Sequence, residues 1–320
     1  IGENPIDAYA ALFRGAFDGE LRLGTTLAGF TPLLLTSIAF AVAAKAGAFN
    51  VGVEGEVFLG GITAAYIGIN WTFLPKPALY VACFVGAMVV AAAWAFIPAV
   101  LRAYYNVNEV CTTILMNTVA LYITSYLVSG PMSAGTANAQ SLPVTVRLYQ
   151  FMKPSSVNVG IFIAAITVIV IIFMLQKSSW GYKIRTVGLN PTHADYVGID
   201  SKKVFVGAMM LSGMLGGMAG CIEVLGVHGY FLNNFATGLG SNGMLAALIV
   251  KNNMVSTPFM AFFLAVLKSG AMGMQQSTGV PKSLVDTITA VFIIIATMET
   301  AFQFTKKRKK KTEEKKEEKA

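Results

Sequence analysis

Nine apolar stretches follow one another along this chain, at roughly 23–44, 50–70, 78–99, 109–129, 157–176, 204–222, 238–250, 256–273 and 284–304. A helix needs about 20 predominantly apolar residues to cross a bilayer. In lipid, only helices and closed barrels leave no backbone group unpaired. The stretches are rich in Ala, Ile, Leu, Val, Phe and Met and lack the alternation of a barrel strand. The expected fold class is an all-α polytopic membrane protein with about nine transmembrane or re-entrant helices. The seventh stretch is short and interrupted by Gly238, Gly240 and Gly243, so it reads as a broken or re-entrant helix. Composition agrees, because only 12% of residues are charged, against about 25% in ordinary globular domains.

The net charge of +8 does not point to nucleic acid, and no nucleic-acid partner is expected. Residues 306–320 hold nine Lys/Arg and four Glu, supplying +5 of that total. This tail, 305–320, reads as a charged, disordered cytoplasmic end, with an anionic-lipid contact through Lys306 to Lys311. The remaining organisation is an amphipathic external segment at 1–22 and a transmembrane domain at 23–304. A cytoplasmic loop at 177–203 lies within that domain. The chain opens on Ile1 without an initiator Met or signal peptide, so an upstream span is expected to be missing and the intact protein to hold about ten.

Lys and Arg set the orientation. Lys45, Arg102, the cluster from Lys177 to Lys203, Lys251 and the tail share one side, which is expected to be cytoplasmic with the C-terminus. The longest opposite loop, Gly130 to Val157, is long enough to meet something outside the membrane. Cys83, Cys111 and Cys221 fall in apolar runs without pairing or metal spacing and read as small buried hydrophobes. Neither His193 nor His228 sits in a metal motif, and no metal site is expected.

Two polar constellations interrupt the apolar background. The first runs from Phe49 to Gly61 and contains Asn50, Glu54 and Glu56. A charge at bilayer depth is costly unless it faces a partner or a watery cavity, so the segment points to a polar route and to transport. At helical spacing Asn50 and Glu54 share a face, lining or buttressing that route, while Glu56 turns away. The second contains Asn108, Glu109, Thr112, Thr113 and Asn117. Glu109, Thr113 and Asn117 recur every four residues as one stripe. Thr113 can back-bond to its own helix. Asn117, two turns into the membrane, is the best single candidate for lining. Asn108 and Glu56 read as structural buttresses, and Glu109 as a cap or a partner of Arg102. Glu223, His228, Asn233 and Asn234 read as external loop residues, framing an outer mouth or simply polar.

In the cytoplasmic loop, Asn190 or Thr192 can cap a helix and Pro191 suits its first turn. Ala194, Tyr196 and Val197 then lie on a short interfacial helix that Gly198 terminates. Such a knob is either a passive interfacial helix or a docking element for a cytoplasmic partner.

The stretch from Gly188-Leu189-Asn190-Pro191 through Ala194 to Gly198-Ile199 resembles the coupling loop of permease subunits in bacterial ABC importers. Asn50-Val51-Gly52-Val53-Glu54-Gly55, Asn108-Glu109-Val110-Cys111-Thr112-Thr113, and Gly279-Val280-Pro281-Lys282 followed by Asp286 narrow the likeness to the nucleoside, basic-membrane-protein-type branch of the branched-chain amino acid and ribose permease group. The likeness covers nearly the whole chain; Glu56 stands where Gln is more usual.

The resemblance implies a vitamin B12 importer-like permease fold in a bacterial plasma membrane and a subunit that is not itself an enzyme. It also implies a second permease subunit of a different chain, an external substrate-binding lipoprotein, and separate ATPase subunits carrying ATP and Mg. Gly188, Asn190, Pro191, Ala194 and Gly198 would then couple to the ATPase. No cofactor is expected on this chain, which lacks the Gly-x-x-x-x-Gly-Lys-Ser/Thr phosphate loop. A lining of neutral groups suits nucleosides. A simple sugar, a branched-chain amino acid, or an ion-coupled carrier using Glu54 or Glu56 stand as alternatives.

Overall fold

The computed structural model describes residues 5–279, 281, 283, 284, 286, 287 and 290. The tail at 305–320 and Gly2 to Asn4 lie outside the described residues, as do Lys282 and most of the ninth apolar stretch. Among the described residues the regular elements are helices, joined by turns and one long loop at 130–159: α1 (Pro5–Phe17), α2 (Gly19–Lys45), α3 (Val53–Asn70), α4 (Lys76–Tyr105), α5 (Glu109–Ser129), α6 (Gly160–Lys177), α7 (Ser179–Leu189), α8 (Pro191–Tyr196), α9 (Ser201–Ile222), α10 (Leu239–Ile249) and α11 (Thr257–Thr278). Among the described residues, six helices are long and apolar enough to cross a membrane: α2, α4, α5, α6, α9 with its extension, and α11. The fold is therefore that of a multi-pass membrane protein.

Helices α2 and α9 are the buried centre, and α3, α4 and α10 pack around them. Phe40, Ile38, Leu215 and Ile222 lie in the core without appreciable exposure. Small residues set the helix spacing. A Cβ added at Gly220 would collide with the Val57 carbonyl, and one at Gly60 with the backbone of Gly217. Side chains cannot drive association in lipid as they do in water, so close backbone approach through glycine is the favoured seam. The same device joins α1 to α11, where Gly15 meets Gly273. The outer faces of α4, α5 and α6 carry Val85, Leu115, Tyr122, Ile166 and Phe173 exposed, as a lipid-facing or subunit-facing surface requires.

Two boundaries differ from the sequence expectation. The stretch at 50–70 becomes helical only at Val53, because Gly47 takes a left-handed φ of +80° and the chain turns before α3. Beyond Ile222 the chain does not enter a loop but continues as a six-residue π-helix, Glu223–His228. Its widened turns leave carbonyls for side chains from the long loop. Gln150 Nε2 donates to Gly226 O at 2.8 Å and Arg147 Nη2 to His228 O at 2.9 Å. Cys83 and Cys221 are buried, whereas Cys111 is exposed on α5, because its position falls on the outer face of that helix.

Candidate functional site

Two helix starts meet in the bundle, and the middle of a third helix reaches them. α3 begins at Val53 after the turn, α10 begins at Leu239 after Gly238 in a left-handed φ of +79°, and Asn117 approaches from α5. At 1.5 Å rise per residue, Asn117 lies about 12 Å from the start of α5 and Ser212 about 16 Å from the start of α9. The junction therefore sits more than two turns along two helices apolar enough to cross a membrane; at membrane depth, broken helices occur only when they line a cavity or are buried in protein.

Asn50 stitches the junction. Its Oδ1 accepts from Gly52 N at 2.9 Å, and its Nδ2 donates to Glu56 Oε1 at 2.8 Å and to Ser212 Oγ at 2.9 Å. The expected shared face of Asn50 and Glu54 is therefore corrected. Asn50 precedes the helix, so helical spacing does not apply to it, and it pairs with Glu56 instead. Both are buried, and Glu56 Oε2 has no hydrogen-bond partner among the described residues. Asn117 is half-buried and clamps the backbone of the same turn, donating to Val51 O at 2.8 Å and accepting from Gly55 N at 2.8 Å. Thr113 is buried and back-bonds to Glu109 O at 2.7 Å, its Cβ touching Gly52.

Glu54 stands apart from this network. It is half-buried in the first turn of α3, and the start of α10 presses on it: a Cβ at Gly240 would strike the Glu54 backbone. Ser241 Oγ donates to Glu54 Oε2 at 3.3 Å. The first turns of two helices, α3 and α10, thus meet at this one side chain. One turn further along the same face of α3 is Phe58, whose ring meets Phe235 edge-on at 5.7 Å. Phe235 also contacts His228 at 5.9 Å. His228 Nε2 lies 3.7 Å from Glu223 Oε2. Glu223 is buried on the π-helix, which corrects its reading as an external loop residue. Ser212, Ser241 and Phe235 were not singled out in the sequence, since their partners are distant along the chain. The glycines around Ser241 were the one available signal.

At the basic end of the bundle, Asn108 caps α5 by accepting from Val110 N at 2.9 Å, and Glu109 pairs with Arg102 at 3.1 Å. Asn190 caps α8, its Oδ1 accepting from His193 N at 3.0 Å with Pro191 in the first turn. Gly198, at φ +81°, ends the knob. Ala194 is buried beneath it, while Leu189, Tyr196 and Val197 are exposed. Gly188 packs against the Lys45 carbonyl of α2. Asp195 ties the knob to α9 through two hydrogen bonds, from Ser201 N and Ser201 Oγ, both at 2.9 Å. A cleft of about 360 Å³ beside it is lined by Gly47, Arg102, Gly188, Pro191 and Lys202. Among the described residues no cluster of His, Cys, Asp and Glu could hold a metal ion. The junction offers neutral donors, neutral acceptors, aromatic faces and two carboxylates, Glu54 and the buried Glu56, a chemistry suited to holding a polar solute weakly.

The comparisons with known proteins identify the family. Residues 22–297 match the family described as "Branched-chain amino acid transport system / permease component". The chain is 33% identical over 312 residues to the guanosine ABC transporter permease protein NupP of Bacillus subtilis, covering 95% of this chain and 88% of that protein. It is 30% identical to the nucleoside ABC transporter permease protein NupB of Lactococcus lactis, covering 93% and 85%. It is 32% identical to the glucose ABC transporter permease protein TsgB13 of Haloferax volcanii, covering 94% and 82%. No solved structure matches the chain. The chain belongs to the permease-component family of branched-chain amino acid transport systems and is an ABC transporter permease, a membrane transport subunit and not an enzyme.

Proposed function

We propose that this permease serves an ATP-driven importer of nucleosides, forms half of its translocation pathway, and is driven through α8 by a separate ATPase subunit. The single observation that carries the reading is the junction of α3 and α10 around Glu54, a polar, partly open break between apolar helices. Relatives named for guanosine and nucleoside transport support the cargo. Glu54, Asn117 and Thr113 border the route, and Asn50 belongs to the same set through its grip on the turn before α3. Glu56, Asn108 and Glu109 hold that lining in place. The exposed apolar rim of α8 supports docking by an ATPase, with Gly188, Asn190, Pro191, Ala194 and Gly198 shaping the element it grips.

The finer architecture follows the same reading. Spans number about nine, in a vitamin B12 importer-like arrangement, with 1–22 external, 23–304 transmembrane, 177–203 the coupling loop and 305–320 a cytoplasmic tail. The second permease is a different chain; both NupP and NupQ are named guanosine permeases of Bacillus subtilis, which supports such pairing. ATP and Mg sit on the ATPase, and an external lipoprotein delivers the solute at a bacterial plasma membrane.

Uptake of labelled uridine, ribose, glucose and leucine by the assembled transporter tests the cargo. ATP-dependent uridine uptake, uncompeted by leucine, is expected. Uptake that follows an ion gradient and survives loss of the ATPase would overturn the reading. The glucose-named relative favours one second reading, a sugar cargo, which the glucose arm decides.

A further inference from the structure

Between the π-helix and α10 the chain runs from Gly229 to Gly238 and brings Phe235 beside the start of α3. Phe235 is half-buried, and three rings meet it edge-on: Phe231 at 5.2 Å, Phe58 at 5.7 Å and His228 at 5.9 Å. Phe58 and Phe231 are buried, so they fix Phe235 and leave it as the phenylalanine of the group with open surface. From Phe231 to Ser241 the exposed residues are Asn234, Thr237 and Ser241, all polar. Along α6 from Phe162 to Phe173 the exposed residues are all apolar. A surface that meets lipid is apolar, whereas the polar rim beside Phe235 is one that meets water. Glu54 completes this rim. It shares a face of α3 with Phe58 and accepts from the exposed Ser241 at 3.3 Å. Among the described residues Glu54 belongs to no ion pair, so its two oxygens keep room for further donors.

A carboxylate with free acceptor sites thus lies one helical turn, about 5.4 Å, from a fixed aromatic pair. That pairing is complementary to a solute with neighbouring hydroxyls at one end and a flat ring at the other. We propose, resting on the nucleoside reading above, that Glu54 and Phe235 form one solute subsite. The Glu54 carboxylate accepts from the 2′ and 3′ hydroxyls of a ribose while the base packs on the Phe235 ring, so the pathway favours ribonucleosides over 2′-deoxyribonucleosides. Each carboxylate oxygen takes one hydroxyl, the chemistry by which an acidic side chain holds a ribose in dinucleotide-binding folds. Stacking on an aromatic ring tolerates every base, because every base has a π-face. The subsite therefore selects the sugar and not the base. A site that hydrogen-bonds a hydroxyl rejects the analogue lacking it. Because Glu54 is only half-buried, water partly replaces the missing group and the selection is moderate.

Uptake of labelled uridine and 2′-deoxyuridine by the fully assembled transporter tests the subsite, each variant being compared with the parent. The same binding protein delivers both solutes in every assay, so its own preference cancels. Glu54→Gln replaces a charged acceptor with a neutral one and should cut the ratio of uridine to 2′-deoxyuridine uptake about fivefold. Glu54→Asp keeps the charge but draws it back by one methylene. Its ratio should fall between those of the parent and Glu54→Gln, and it decides the matter if the glutamine variant does not assemble. Phe235→Leu should slow both solutes about tenfold, the worth of one stacked base, with the ratio unchanged. The parent's ratio in both Glu54 variants would overturn the subsite and leave the nucleoside cargo standing. So would parent rates for both solutes in Phe235→Leu. A parent that moves neither solute would overturn the cargo reading, and the subsite with it.

Discussion

Asp195 grips Ser201 at two points, its two carboxylate oxygens accepting from the backbone N–H and the hydroxyl, each at 2.9 Å. The grip joins the exposed α8 to the first residue of α9. Eleven residues on, the same helix holds Ser212, which accepts from Asn50 at 2.9 Å at the start of the buried junction. A push on α8 therefore has a rigid element on which to act. Hydrogen bonds to a charged group are each worth about 1.5–3 kcal/mol. Asp195→Ala should accordingly lower uptake about tenfold while ATP hydrolysis by the assembled complex persists. The ratio of solute moved to ATP consumed checks this, and an unchanged ratio would show that the contact transmits nothing.

Asn50 and Glu56 make a second prediction. Removing the amide with Asn50→Ala strips Glu56 of its donor and leaves a buried carboxylate unpartnered, at a cost of about 1–3 kcal/mol. Glu56→Gln keeps an acceptor for the Asn50 amide and should be tolerated. Melting of the purified protein in detergent should separate the two, with N50A several degrees below the parent and E56Q close to it.

The α3–α9 seam predicts a steric contrast. Gly220→Ala drives a methyl into the Val57 carbonyl and should destabilise by about 1–3 kcal/mol or prevent accumulation. Gly29→Ala, on α2 with nothing near the added carbon, should be neutral or stabilising within about 1 kcal/mol. Equal effects at the two sites would mean that the seam is looser than its geometry.

Acid should loosen the start of α9. Asp200 caps that helix, accepting from the backbone N–H of Lys203 at 3.0 Å and facing its ammonium at 3.0 Å. These contacts, the backbone hydrogen bond first, hold its carboxyl below the ordinary carboxylate range. Because the folded value lies below the unfolded one, the cap's contribution is complete at neutral pH. It is lost as pH falls through the lowered value. Amide protection in the first turn of α9, taken relative to the intrinsic exchange rate at each pH, should fall in acid for the parent. Asp200→Asn, which keeps an acceptor without a titrating charge, should show protection that does not change with pH.

Much of this was legible in the sequence. The places of the long helices followed from the apolar runs though not all of their boundaries, and the α8 knob followed from Asn190, Pro191 and Gly198, because caps and turns are local signals. Asn50 was misread because a turn between Gly47 and Gly52 cancels helical spacing, and spacing alone cannot reveal it. Glu223 was misread because a π-helix extends α9 using carbonyl partners, Gln150 and Arg147, from a loop some 75 residues away. Ser212 and Ser241 gain meaning only through packing, which places α9 and α10 against the start of α3.

Water access at position 54 during turnover tests the central claim most directly. In the assembled transporter with Cys111→Ser, Glu54→Cys should react with a membrane-impermeant thiol reagent in one nucleotide state of the ATPase. In the other state it should react at least about tenfold more slowly, as alternating exposure of a shared route requires. Equal rates in both states, or no reaction in either, would contradict a solute pathway at the α3–α10 junction driven from the cytoplasm.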